Sequence, residues 1–324
     1  MKRLLLITSL LLSSATGFAN NEERETLGDS LDVSAVIRVD NYFKPDANGD
    51  HQDNMRIKGS VIKFTATISE NIKAVIALKL DRMIRRNGDS VESSIELEEF
   101  LKYAYVEIRN IGGKPIAVVI GKKGIPMGLG FDRFLNHHNN PVRGLRNYDQ
   151  VFGITVTLDS ETLGKIQASV FENLEGSSDL DIGSVGSYAI RYSREIMDGL
   201  EGNISYAHLG HDDREDEDRI SIGAVYKTDR NTFWAEGIFF TNHATYGDAT
   251  AINAGASRTF KFGEAVAAIN FIEDHMTQLA LGLNIQVNDS IRVGPEVRYS
   301  MYDDEDRDDE VTYGIRTEIR LRKK

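Results

Sequence analysis

Lys122, Lys123, Arg133, Arg143 and Arg146 crowd into one glycine-rich stretch, "GKKGIPMGLGFDRFLNHHNNPVRGLRNYDQ", from Gly121 to Gln150. Asp132 and Asp149 are its only acids, although the whole chain carries a formal net charge of -12. A basic island in an acidic protein can steer or hold anions, and it does so most strongly where low-dielectric walls focus its field. Covalent chemistry is harder to find. His137 and His138 are adjacent, so on an extended chain they point apart and make a poor metal pair without a third ligand. His208, His211, His243 and His275 fall near links, but none has a serine or cysteine nucleophile at motif spacing. "GLGFDRF" lacks the second glycine spacing and the following helix of a dinucleotide fingerprint. The acidic blocks "HDDREDEDR" (His211 to Arg219) and "DDEDRDDE" (Asp303 to Glu310) lack the calcium-loop spacing and turn glycine, and read as solvated loops. No catalytic residue, metal ligand or cofactor is therefore expected.

The elements that would position this island are strands. In "QLALGLNIQV", Leu279, Leu281, Leu283, Ile285 and Val287 share one face, and Gln278, Ala280, Gly282, Asn284 and Gln286 share the other. "VTYGIRTEIRL", "IRVGPEVRYSM" and "IKAVIALKLD" repeat this period of two, which marks half-apolar β-strands. About sixteen such segments follow one another, each near the ~9–11 residues that cross a bilayer at a tilt. Alternation blurs in "ELEEFLKYAYVEIRN", "NTFWAEGIFFTN" and "TAINAGASRTF", and a short helical turn is expected over Ser94 to Tyr103. Tight links such as "SEN", "MDG", "KFG" and "NDS" alternate with long ones, except that "EDH" near Glu273 is short where a long one is due.

Strands with one oily and one polar face, and links that alternate between two rims, predict an all-β protein. The expected fold is a transmembrane antiparallel β-barrel, since closure leaves no unpaired edge in lipid. So many strands enclose a wet lumen rather than a packed core. The inward faces then present Arg38, Lys63, Lys73, Lys79, Arg109, Arg191, Arg292, Arg298, Arg316 and Arg320. Against these stand Asp40, Asp81, Glu107, Glu201, Glu236, Glu296 and Glu318, a balance that suggests a mild anion preference. Tyr42, Phe43, Tyr188, Tyr192, Tyr226, Phe233, Phe239, Phe240, Tyr299 and Tyr302 are expected in interfacial girdles.

The start, "MKRLLLITSLLLSSATGFAN", has a cationic tip, an apolar run and small residues at a cleavage site, as a secretory signal peptide does. Residues 1–19 are thus expected to be removed, with 20–30 a short periplasmic segment and 31–324 the barrel. The chain contains no cysteine, which excludes a lipid anchor at the cleavage site and a disulfide framework. Its acidic balance argues against a nucleic-acid partner.

With these features the chain resembles a Gram-negative outer-membrane porin. "AVVIGKKGIPMGLG" is similar to the strand-then-glycine-and-proline passage of the phosphate-selective porins, with Gly121, Pro126, Gly128 and Gly130 as the matching residues. The ending "IRLRKK" departs from that pattern, in which the last residue is aromatic. The resemblance implies an outer-membrane channel for passive diffusion of small hydrophilic solutes, commonly a homotrimer set in lipid and lipopolysaccharide. It also implies that the third long link, about 124–149, folds inward and places Lys122, Lys123, Asp132, Arg133, Arg143 and Arg146 at the constriction. Other readings stay open. This link can lie on the surface against lipopolysaccharide phosphates, the channel can be specific for phosphate or an iron chelate, and some barrels of this kind are enzymes.

Overall fold

The computed structural model describes residues 31–45, 51–57, 59–80, 100–129, 140–146, 151–172, 186–211, 214–304 and 307–322. The signal peptide and periplasmic segment, Asp81, Gly130, Asp132, Arg133, the His137–His138 pair and Asp149 lie outside them, as do the side chains of Tyr42 and Phe43.

The strands are β1 (Leu31–Pro45), β2 (His51–Ile57), β3 (Val61–Ser69), β4 (Ile72–Lys79), β5 (Leu101–Ile108) and β6 (Ile116–Lys123). They continue as β7 (Val151–Ser160), β8 (Gly164–Phe171), β9 (Ser187–Met197), β10 (Leu200–Leu209), β11 (Glu217–Lys227) and β12 (Asn231–His243). The last are β13 (Gly247–Phe260), β14 (Gly263–Ile272), β15 (Met276–Asn288), β16 (Ile291–Tyr302) and β17 (Glu310–Arg322). One helical turn, α1 (Arg143–Arg146), lies between β6 and β7. The helical turn expected up to Tyr103 is strand from Leu101 onward.

Apart from β2 and β3, which do not pair with each other, each strand pairs antiparallel with the next, and β17 returns to β1 through Ser34↔Arg322 to Phe43↔Tyr313, so the sheet closes. Of the 17 strands among the described residues, β2 and β3 both pair with β1 and form one stave, so the barrel has sixteen staves. The stave breaks at Gly59, whose φ of 71° suits glycine. Ser60 patches the break: its hydroxyl accepts from Arg38 N at 2.8 Å and donates to Arg38 O at 3.2 Å.

Alternation decides what each face meets. Along β15, Gln278 and Ala280 are buried while Leu279 and Leu281 stand exposed on the outside. Ile154, Ile190, Ile204, Ile222, Ile252, Ile269 and Ile315 continue this outer belt around the staves. A contiguous apolar exterior of that extent suits hydrocarbon rather than water. Tyr188, Tyr192, Tyr226, Phe233, Phe239 and Tyr299 are on it, as expected of girdle residues. Phe240 is not: it is 3% exposed and packs inside the barrel, with Tyr302 against the same interior cluster. Neighbours on a strand face opposite ways, so Phe239 and Phe240 cannot both meet lipid.

The outer belt has a measurable consequence. Leu281→Arg should destabilise the folded barrel in lipid vesicles by about 2–4 kcal/mol. Gln286→Lys, on the lumen side of the same strand, should cost under about 0.5 kcal/mol. Urea titrations of both variants would check the contrast.

Candidate functional site

The link between β6 and β7 enters the lumen. Shortly before it, within β6, Gly121 has a φ of +122° and a Cβ there would lie 2.2 Å from Ala104 O, so only glycine fits this place in the strand. Ile125, Met127, Val142 and Leu145 are then buried inside the barrel. They pack against inward residues of the far wall, among them Phe171, Leu209, Ile238, Phe240, Ile272 and Met276. Ala189, Ala207 and Ala251 keep that wall low enough to receive the link. Each such buried side chain stabilises by about 1.5–3 kcal/mol.

Polar contacts fix the position. Glu236, inward on β12, accepts Leu129 N–H at 2.7 Å and the Ser221 hydroxyl at 2.7 Å on Oε1. Its Oε2 lies 2.7 Å from Arg146 Nε, with the two side chains 0% and 2% exposed. Gly128 passes directly over this carboxylate at φ +67°, and a Cβ there would sit 2.4 Å from Glu236 Oε1. Gly128 N–H donates to Ser205 Oγ at 2.9 Å, and Arg219 Nη1 donates to Leu145 O at 2.7 Å. Below the link, Leu129 covers Trp234, from which a side-chain ladder runs across the wall. Trp234 Nε1 donates to Asn253 Oδ1 at 2.9 Å, Asn253 to Asn270 at 2.6 Å, Asn270 to Gln278 at 3.2 Å and Gln278 to Ser300 at 3.1 Å.

The basic residues of the link are divided by this geometry. Lys123 faces the lumen with its Nζ 5.1 Å from the Tyr105 ring centroid, whereas Lys122 faces outward, 5.3 Å from that of Phe152. The sequence reading put both at a constriction; β6 extends through Lys123, so the two lysines must point apart. Arg146 is a buried clamp on Glu236 rather than a cation turned to the passage. Arg143 is half-buried on α1, within the lumen.

Most wall arginines are bracketed by carboxylates. Arg298 contacts Glu296 at 3.0 Å and Gln278 at 3.0 Å, and Arg109 contacts Glu107 at 2.8 Å. Arg316 pairs bidentately with Asp40, both fully buried. Lys73 stands opposite Glu107 in register, and Lys79 continues the inward face of β4. Arg38, Arg292 and Arg320 converge on Glu318. A correction applies to the first acidic block: Glu217 and Arg219 are not loop residues but buried inward partners on β11, 2.5 Å apart.

The sequence reading missed the apolar inner wall on β8 to β15. Its one trace was blurred alternation in "NTFWAEGIFFTN", where Trp234, Ile238 and Phe240 are buried inside and Phe233 and Phe239 are exposed outside. Among the described residues no cluster of acids and histidines forms a metal site.

Solved structures share this architecture. The outer-membrane channel DcaP of Acinetobacter baumannii superposes with a TM-score of 0.66 at 10% identity, covering 90% of this chain and 97% of that one. OmpF of Salmonella typhi gives 0.64 at 14%, covering 90% and 99%. The chain has the fold of outer-membrane porins. An anion-selective porin from Comamonas acidovorans gives 0.58 at 15%, covering 91% and 99%. No protein-family model matches the sequence, and no curated protein matches it.

The Glu236 contact should be necessary for the inward fold. Glu236→Ala leaves Arg146 buried without its counter-ion and should lower stability by about 3–5 kcal/mol. It should also make the link cleavable by trypsin at Arg143 or Arg146 in the detergent-solubilised barrel. Limited proteolysis with fragment sequencing would check this; Gly128→Ala should weaken the same contact to a smaller extent.

Proposed function

We propose that this chain is an outer-membrane channel through which small hydrophilic solutes diffuse passively, with a mild preference for anions. The observation that carries the reading is the link pinned by Glu236 against β8 to β15, inside a closed barrel with an apolar exterior. The remaining passage runs between that link and the arc of β16, β17, β1, β3, β4 and β5. On this arc Arg38, Lys63, Lys73, Arg109, Arg292 and Arg320 outweigh Glu107 and Glu318, which favours anions in a narrow, low-dielectric space.

Arg143 on the link and Lys123 at the end of β6 are the candidate selectivity residues, together with Arg133 and Asp132. The outward Lys122, beside Phe152 at the long-loop rim, suits a contact with lipopolysaccharide phosphates. A homotrimer in the outer membrane fits this reading, and so does secretion by a signal peptide cleaved after residue 19. Selectivity for phosphate, as the Gly121–Pro126–Gly128 passage suggests, is a narrower form of the same proposal.

Reversal potentials across planar bilayers in a potassium chloride gradient test it. The expected sign is that of faster chloride, and Arg143→Glu should move the potential towards potassium while leaving the barrel folded. Faster potassium in the unaltered protein contradicts the anion preference, and absence of pores contradicts the channel.

A further inference from the structure

Towards the short-turn end, the outer surface of the barrel is hollowed in two places. On β11 and β12, Ala224 and Ala235 lie side by side in register, and in the next row Gly237 stands between Ile222 and Ile252. They line a groove of about 680 Å³, bordered by Tyr192 and Ile196 of β9. A second groove, of about 540 Å³, crosses β12 to β16. There Ala256 and Ala267 adjoin in register, with Phe233 on one side and Leu281 on the other. Ile222, Ile252, Phe233 and Leu281 are exposed on the lipid face, so the small residues between them make hollows in the outer belt.

Each groove carries one arginine near the rim. Arg194 lines the first, close to the turn after Met197, and Arg258 lines the second, close to the turn after Phe260. Both are exposed, and neither forms an ion pair among the described residues. Arg194 sits opposite Gly202, and Arg258 between Asn231 and Ala265, so no carboxylate faces either guanidinium in register. Arg258 rests beside Phe260, 5.8 Å from the ring centroid, and Phe260 stacks on Phe262 at 5.6 Å. Aromatic rings of this kind settle at the headgroup level of a bilayer.

Shape alone selects nothing here. A groove facing lipid gains little by exchanging one hydrocarbon chain for another, since both are equally oily. An arginine at the edge of the hydrocarbon adds the missing preference, because its planar fork pairs with two oxygens of one phosphate.

We infer that the two grooves bind anionic phospholipids of the leaflet at the short-turn rim. An acyl chain lies along each floor, and the headgroup phosphate meets Arg194 in one groove and Arg258 in the other. A lipid of net negative charge is favoured over a zwitterionic one, whose own cation repels the arginine. The Lys122 contact proposed above lies at the opposite rim and is separate. This inference rests on the barrel crossing a bilayer, and not on what its lumen conducts.

The test is native mass spectrometry of the purified barrel, released from micelles that contain equal amounts of phosphatidylglycerol and phosphatidylcholine. Phosphatidylglycerol should be retained in preference, one molecule to each groove. Arg194→Gln and Arg258→Gln should each weaken retention at one groove about fivefold. Both residues are exposed and unpaired with acids, so these changes put little burden on folding. Ala235→Leu combined with Ala267→Leu fills the floors, keeps both arginines and should displace the same lipids. Equal retention of the two lipids, or retention unchanged by both arginine substitutions, would overturn the inference. Filled floors that leave retention intact would overturn the grooves and reduce the contact to surface charge. Filled floors that instead lower the oligomeric mass would make this face an interface between copies of the chain, and the lipid site would fall. A barrel that retains these lipids yet conducts nothing would overturn the channel reading alone.

Discussion

A buried carboxylate on the lumen wall organises this protein. Glu236 takes the Leu129 amide, the Ser221 hydroxyl and the Arg146 guanidinium, and each partner comes from a different segment. Removing the link would leave a carboxylate without its amide and an arginine without its counter-ion. Truncating one member of such a pair costs far more than the pair contributes. The contact therefore specifies where the link goes, while burial of Ile125, Met127, Val142 and Leu145 supplies most of the stabilisation.

From that placement follows a lumen with two characters. Towards the long-loop end, the β8 to β15 side carries an apolar cluster on its inner face, interrupted on β11 by the Glu217–Arg219 pair, with lipid outside and the link inside. The other side keeps a polar inner face whose arginines are held by carboxylates. An arginine with a fixed partner holds a defined orientation, so the residual charge is set by how many cations share each acid. At Glu318 the ratio favours the cations, and at Asp40 it is even.

Much of the fold was legible because a lipid-facing barrel imposes its period on every strand. Leu279, Leu281 and Leu283 announce one face, and Gln278 and Asn284 the other. Closure, the alternation of long and short links, and the length of the third long link follow from that pattern. Individual side chains were less legible. Lys122 and Lys123 were read as loop residues because a strand end carries no local signal of its own; once β6 reaches Lys123, one of them must face lipid. Phe240 and Arg219 were misplaced for the same reason, since their roles depend on register and on what the link covers. The Glu236 hub joins residues far apart in sequence, and no short motif encodes it. Gly128 was the nearest clue, because a glycine between buried residues often marks close approach by another group.

In the proposed channel, the link between β6 and β7 borders the conducting path. The chain has no cysteine of its own, so a thiol placed at Arg143 can be labelled cleanly. Current through single Arg143→Cys pores should be recorded while a bulky thiosulfonate reagent is added. The account predicts a stepwise fall in current as each pore reacts. Full labelling with no change in current would place Arg143 away from the passage and contradict it.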